Sequence, residues 1–250
     1  MNLMKNGTVL YECHDQVATI TLNRPEVKNA INTEMHEDLQ QAFTKAGNDE
    51  KIKVIILQGK DGAFSSGADL KSIPLEQFAS FDHGDYLAHT YNQLIEIIAN
   101  INKPIVAYMN GIAVGAGLSL ALACDFRYAS SDAKMAISFL NIGLVPDAGA
   151  SYFLPRIVGI QKALELCLGE AVTAEEALRF GLINNIGAPT DFVNKLKQVP
   201  LTAFGLMKKN MYSSFDQSLT EVLRMEVEAQ RKAGKSKEHL QAIQAFVGKG

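Results

Sequence analysis

Residues 103–130, KPIVAYMNGIAVGAGLSLALACDFRYAS, decide how the rest of the chain is read. KPIVAYMNG reads as a strand whose apolar run is continuous rather than alternating, as expected where a strand is covered on both faces. GAGLSLALACD follows as a helix made largely of small residues, which must pack tightly. FRYAS is the next strand. A strand, a turn and a helix thus lead straight into another strand, and the same unit can be sought on either side.

Upstream, TVLYECHDQVATITL reads as a hairpin of two β-rich runs around a polar turn at His14–Gln16. A helix follows, with Met35, Leu39, Ala42, Phe43 and Ala46 at spacings of three and four. KVIILQG is a buried strand, and a second helix carries Leu87, Tyr91, Leu94, Ile95, Ile98 and Ile101 in register. Downstream, AKMAIS is expected to be the last strand. From about Ala150 the chain reads as nearly all helical, and TAEEALRFGL opens with a capping box, Thr173 with Glu176. The final helices are amphipathic, with Leu219, Leu223 and Val227 on one and Leu240, Ile243 and Val247 on the other. The reading is therefore α/β: a body over 1–190 made of repeated strand–turn–helix units, then a helical region over 191–250. Helices gathered at one end cannot all bury their apolar faces on that body, so an oligomer interface is their natural use.

Composition bounds the function. The 250 residues are 47% hydrophobic and 20% charged, with a net charge of −3. A mildly acidic chain lacks the electrostatic footprint of a nucleic-acid binder. No apolar run is long enough to span a bilayer, and the N-terminus lacks the apolar core of a signal peptide, so a cytoplasmic location is expected. Cys13, Cys124 and Cys167 lie far apart in apolar surroundings and are expected to be buried free thiols. The five histidines show no metal-ligand spacing, and neither a metal nor a resident cofactor is expected.

Two glycine-containing stretches carry the chemistry. FSSGADL (64–70) follows the strand at 54–57 and NGIAVGAGLSLALACD (110–125) follows the strand at 105–109. Each can present a backbone N–H, at Ala68 and at Ala116, that no helical carbonyl satisfies. Two such donors aimed at one point make an oxyanion hole, each worth roughly 3–4 kcal/mol to a transition state. A dinucleotide fingerprint is the rival, but Gly115-Ala-Gly117-Leu-Ser-Leu120 lacks its third glycine, and no Lys-Ser/Thr of a P-loop is present. Taken singly, either stretch needs its glycines only for a tight turn and close helix packing.

The two stretches together resemble the enoyl-CoA hydratase/isomerase (crotonase) superfamily. TLNRPEVKNAI, FSSGADL, the 103–130 stretch, IGLVPDAGASYFLPRIVG and AVTAEEALRFGLIN occur in that family's order over nearly the whole chain. The resemblance implies a spiral of ββα units with a C-terminal helical trimerisation region, a homotrimer or dimer of trimers, and a coenzyme A thioester that enters as substrate. By position, Ala68 and Ala116 match the two residues whose N–H groups hold the thioester oxygen, and Gly115 adjoins the second. Lys28, Ala30 and Ile31 match the stretch at the adenine–ribose end of the CoA site. Ser66, Asp69 and Leu70 match further CoA contacts, while Phe246 and Lys249 in the tail AFVGKG match an aromatic and a lysine that reach the CoA.

The same resemblance separates the possible reactions. Hydratases of the family use two glutamates, and those positions fall here on Ser119 and Phe139, leaving Phe139 as a wall of the acyl site. Asp147, in VPDAGAS, matches the single catalytic aspartate of ring-opening and double-bond isomerases. Phe139, Leu140, Ile142, Leu144 and Val145 should desolvate it and raise its pKa. Its rival role is as N-cap of the helix that follows. A second acid/base could come from Glu76, Asp82, His83 or Asp85 in the variable segment IPLEQFASFDHGDY, where each also reads as a solvated loop residue. Asp125 is read as structural. The leading expectation is an isomerase of unsaturated acyl-CoA. The alternatives are a hydratase of trans-2-enoyl-CoA and a non-catalytic CoA-binding or scaffold protein.

Overall fold

The computed structural model describes residues 7–72, 76 and 80–248. The chain opens with an antiparallel hairpin, β1 (Val9–His14) and β2 (Val17–Leu22). The turn is one residue shorter than expected: His14 already pairs with Val17, and only Asp15 and Gln16, both with positive φ, make the reversal. Asn32 then caps α1 (Thr33–Asn48) by accepting from the Met35 N–H, and the helix buries the five residues expected together with His36.

Three strand pairs follow, each sending one strand to each of two sheets. They are β3 (Val54–Gly59) with β4 (Ala63–Ser65), β5 (Ile105–Met109) with β6 (Ile112–Val114), and β7 (Phe126–Ala129) with β8 (Lys134–Ala136). Between the first two pairs lie α2 (His83–His89) and α3 (Tyr91–Asn100), and between the second and third lies α4 (Ala116–Leu122). After β8 come α5 (Ala150–Val158), α6 (Ile160–Leu166), β9 (Val172–Thr173), α7 (Ala174–Arg179) and β10 (Asn185–Ile186). The larger sheet has the order β1-β2-β3-β5-β7-β10 and is parallel after its first hairpin; the smaller has the order β4-β6-β8-β9. This is the spiral of repeated strand–strand–helix units that the resemblance implies.

Three expectations need correction. The second helix is broken: Thr90 leaves helical geometry (φ −126°, ψ −84°), and its hydroxyl donates to the Tyr86 carbonyl four residues back, a local bond that competes with the helix. AKMAIS does not hold the last strand either, since β9 and β10 close the two sheets. Cys13 is exposed rather than buried, although all three cysteines are free. The capping box at Thr173 and Glu176 is present as read.

The helical end comprises α8 (Thr190–Leu196), α9 (Leu201–Ser213), α10 (Leu219–Ala233) and α11 (Lys237–Val247). Val193 and Leu196 of α8 pack on Val54, Val106 and Tyr128, on the opposite side of the larger sheet from the main core. Lys208 of α9 reaches the body, where its ammonium lies 2.8 Å from the Asp125 carboxylate, with both side chains 7% exposed. Asp125 also accepts from the Ile105 N–H at the start of β5, so it joins strand, helix end and α9 in one buried node. α10 and α11 bury no side chain in the single chain. No helix among the described residues is long and apolar enough to cross a membrane.

Candidate active site

The ends of β4 and β6 run side by side, and this brings the two glycine stretches together. Ala63 pairs with Ile112 and Ser65 with Ala113 in a parallel register. Past those ends Gly67 adopts φ +93°, and a side chain there would put its first carbon 2.8 Å from the Val114 carbonyl oxygen and 3.5 Å from the Ala116 nitrogen. Glycine is required both for the dihedral and for the approach. Gly117 is equally confined: an added carbon would lie 2.6 Å from Ser65 Cβ.

The two N–H groups are free for different local reasons. Ile31 bridges to Ala68 by donating to the Gly67 carbonyl and accepting from the Asp69 N–H. Strand alternation turns the intervening Ala68 N–H away from that strap. Ala116 is the first residue of α4, where no preceding turn supplies an acceptor. Both residues, with Gly115, Ser66, Asp69 and Leu70, line a cavity of about 570 Å³.

Asp147 lines the same cavity, as do Phe139, Leu144 and Tyr91. It does not cap the following helix: the N-cap of α5 is Gly149, and no side chain caps it. Asp147 Oδ1 is buried without a hydrogen-bond partner. Burial among apolar groups pushes its carboxyl up to about 6, because the charged form loses its hydration. The left-handed Ala148 (φ 49°) and Gly149 (φ 80°) turn the chain sharply just after it, leaving the carboxylate on the cavity side while α5 departs.

The remaining sequence-chosen residues fall into distinct places. Lys28 is exposed and left-handed, while Ala30 and Ile31 bury their side chains; the Lys28 carbonyl accepts from the Ser66 N–H at the cavity edge. Asp69 lines the cavity, but its carboxylate is paired with Arg24 at 2.8 Å, and Arg24 also donates to the Ala30 carbonyl, so the charge fixes the strap. Ser119 is fully buried and donates to the Gly115 carbonyl. Phe139 is a cavity wall. Of the loop candidates, His83 lines the cavity, Asp82 caps α2 through the Asp85 N–H, and Asp85 and Glu76 are exposed. Phe246 is 81% exposed and is not a wall of this cavity; Lys249 lies outside the described residues.

Three groups escaped the sequence reading: Tyr91, Tyr86 and His36. Tyr91 was visible only as part of an apolar helix face, and periodicity does not tell a phenol that fills a core from one that lines a cavity.

Comparison with known proteins agrees with this fold. Residues 12–250 match the family model described as enoyl-CoA hydratase/isomerase. The chain is 32% identical to the 1,2-epoxyphenylacetyl-CoA isomerase of Escherichia coli, covering 96% of this chain and 95% of the relative. Among solved structures, an enoyl-CoA hydratase/isomerase of Cupriavidus metallidurans superposes with a TM-score of 0.89 at 30% identity, over 98% and 96% of the two chains. An enoyl-CoA hydratase of Thermoplasma volcanium gives 0.89 at 29% identity, over 98% and 99%.

Proposed function

Because the chain belongs to the enoyl-CoA hydratase/isomerase family, we propose that it moves a double bond within an unsaturated acyl-CoA, using one aspartate. The thioester oxygen sits between the N–H groups of Ala68 and Ala116, which stabilise the negative charge as the α- or γ-proton leaves. Asp147 takes that proton and returns it to another carbon. A carboxyl near 6 is suited to this exchange, since it is ionised at neutral pH yet basic enough to hold a proton briefly.

The observation that carries the reading is the inequality of the acidic groups around the cavity. Asp147 has an unpartnered oxygen and a raised pKa, whereas the Asp69 carboxylate is held by Arg24. Ser119 and Phe139, at the positions where the resemblance places a hydratase's two glutamates, offer no carboxylate. His83 supports the second reading, hydration of a trans-2-enoyl-CoA, because it lines the same cavity as Asp147 and could manage a water there. CoA would run from the cavity toward Ser66 and the 28–31 strap, and the homotrimer or dimer of trimers would be built through α10 and α11. Crotonyl-CoA and a 3-enoyl-CoA, supplied separately with hydration and isomerisation followed independently, test the choice. The reading expects isomerisation to exceed hydration at least tenfold, in line with one positioned acid/base and no second; faster hydration selects the alternative.

A further inference from the structure

Beside the carboxylate lies an aromatic cluster that the proposed reaction leaves unused. His36 comes from α1, Tyr86 from α2 and Tyr91 from α3. The His36 ring meets Tyr91 edge-on with centroids 4.1 Å apart, and meets Tyr86 at 5.9 Å. The Tyr86 hydroxyl faces Thr33. His36 makes no hydrogen bond from either nitrogen, and burial pushes its pKa down to about 4, so it packs as a neutral ring at working pH. Tyr91 is 2% exposed, lines the cavity and leaves its hydroxyl without a partner.

A buried O–H without an acceptor is costly and uncommon in native structures. Among the described residues lining this cavity, the other unpartnered buried polar atom is Asp147 Oδ1. One is a donor and the other an acceptor. They also sense each other electrostatically: the Asp147 charge, after burial and Tyr86, helps hold the Tyr91 phenol well above its usual pKa.

We propose that Tyr91 is a positioning residue for Asp147: the two groups are not bonded to each other in this structure, and on ionisation of the carboxylate the hydroxyl turns to donate to Oδ1, which leaves Oδ2 for the acyl chain. The inference rests on Asp147 being the acid/base of the proposed reaction. A donor to the charged form stabilises that form and restricts the carboxylate to one orientation. The other titratable groups around the pair are few. His36 is neutral, Tyr86 faces Thr33, His83 lines the same cavity, and Asp69 is paired with Arg24.

The test is the pH dependence of kcat/KM for isomerisation in the wild-type protein, Tyr91→Phe and Asp147→Asn. Phenylalanine keeps the ring against His36 and removes only the donor. Losing a donor to the ionised form raises the pKa of Asp147, so the acid limb of Tyr91→Phe moves up by about one pH unit and kcat at neutral pH falls about tenfold. Binding of butyryl-CoA, which has no proton transfer to undergo, stays the same. An unmoved acid limb, in a protein where Asp147→Asn loses turnover, overturns the role of Tyr91 and leaves that of Asp147 standing. Full turnover in Asp147→Asn overturns both. Should the phenylalanine variant fail to fold, 3-fluorotyrosine placed at 91 supplies a more acidic donor of nearly the same size. The acid limb then moves down, and a limb that stays put is the contrary result.

Discussion

Asp147 is where stability and the proposed activity pull in opposite directions. Its carboxyl binds a proton more tightly in the folded chain, near 6, than at its ordinary value of 3.8. The favourable contribution is therefore complete in acid and is lost as pH rises from about 3.8 through about 6. At neutral pH the fold carries an ionised group it would rather keep neutral, at a cost of about 2 kcal/mol once partial solvent access is allowed for. Asp147→Asn removes that cost while keeping the shape. It should melt several degrees higher than wild type at pH 7.5 and no higher at pH 4, and it should lose roughly 10²–10⁴-fold in kcat. Calorimetry at the two pH values and a kinetic assay check both halves. Equal melting at pH 7.5 would mean that the carboxylate is better solvated than its walls imply. At this scale the sequence was informative about Asp147, because a carboxylate among small and apolar residues after a proline is unusual on its face. It left open whether the side chain capped α5, a matter decided by the left-handed pair Ala148 and Gly149, which moves the cap to Gly149. Tyr91 was illegible as a site residue for a different reason, since core packing and cavity lining impose the same helical spacing.

Among elements, the decisive contact is α4 against β4. Gly117→Ala would set a carbon 2.6 Å from Ser65 Cβ and 2.9 Å from the Ser65 carbonyl oxygen, so the helix start and the strand end would have to separate. Overpacking of this kind typically destabilises by about 1–3 kcal/mol. Because the Ala68 and Ala116 N–H groups sit just beyond the contact, turnover should fall by more than the loss of folded protein explains. Chemical denaturation together with kcat of the remaining folded fraction would check this; unchanged kcat per folded molecule would separate the donors from the chemistry. The repeated units were readable because buried parallel strands are written as continuous apolar runs, as in Ile105–Met109. The break at Thr90 was not, because the apolar register runs on unchanged through Leu87, Tyr91 and Leu94 while one hydroxyl bond interrupts the backbone. β9 and β10 were too short, at two residues each, to carry a period.

For the molecule as a whole, the outstanding feature is apolar surface on α10 and α11. Leu219, Leu223, Val227, Leu240, Ile243 and Val247 are all exposed in the single chain. They are the positions that the sequence already marked as surplus, and a self-association surface is the use that suits them. Light scattering should give three or six times the 27.2 kDa of one chain. Leu223→Glu combined with Leu240→Glu should shift the mass toward the monomer while leaving the far-ultraviolet circular dichroism in place. A monomer in the unmodified protein at micromolar concentration would contradict the expectation. The Lys208–Asp125 node joins the packing of α8 in attaching this helical end to the body. Breaking a buried pair from one side typically costs about 3–5 kcal/mol, so Lys208→Met should be among the most destabilising single changes in denaturant melts. The sequence placed Asp125 at a helix end but gave no hint that its counter-ion lies more than eighty residues downstream.

The two donors at Ala68 and Ala116 belong to the main chain, and this separates the parts of the site by how they can change. A point substitution can erase Asp147 or Tyr91 in one step, yet almost every residue placed at 68 or 116 would still present an N–H, proline excepted. On the proposed reading, the half of the site that would recognise the thioester is thus inherited with the fold, while the half that would select the reaction is free to drift. A lineage built this way can exchange one chemistry for another without losing its grip on the substrate.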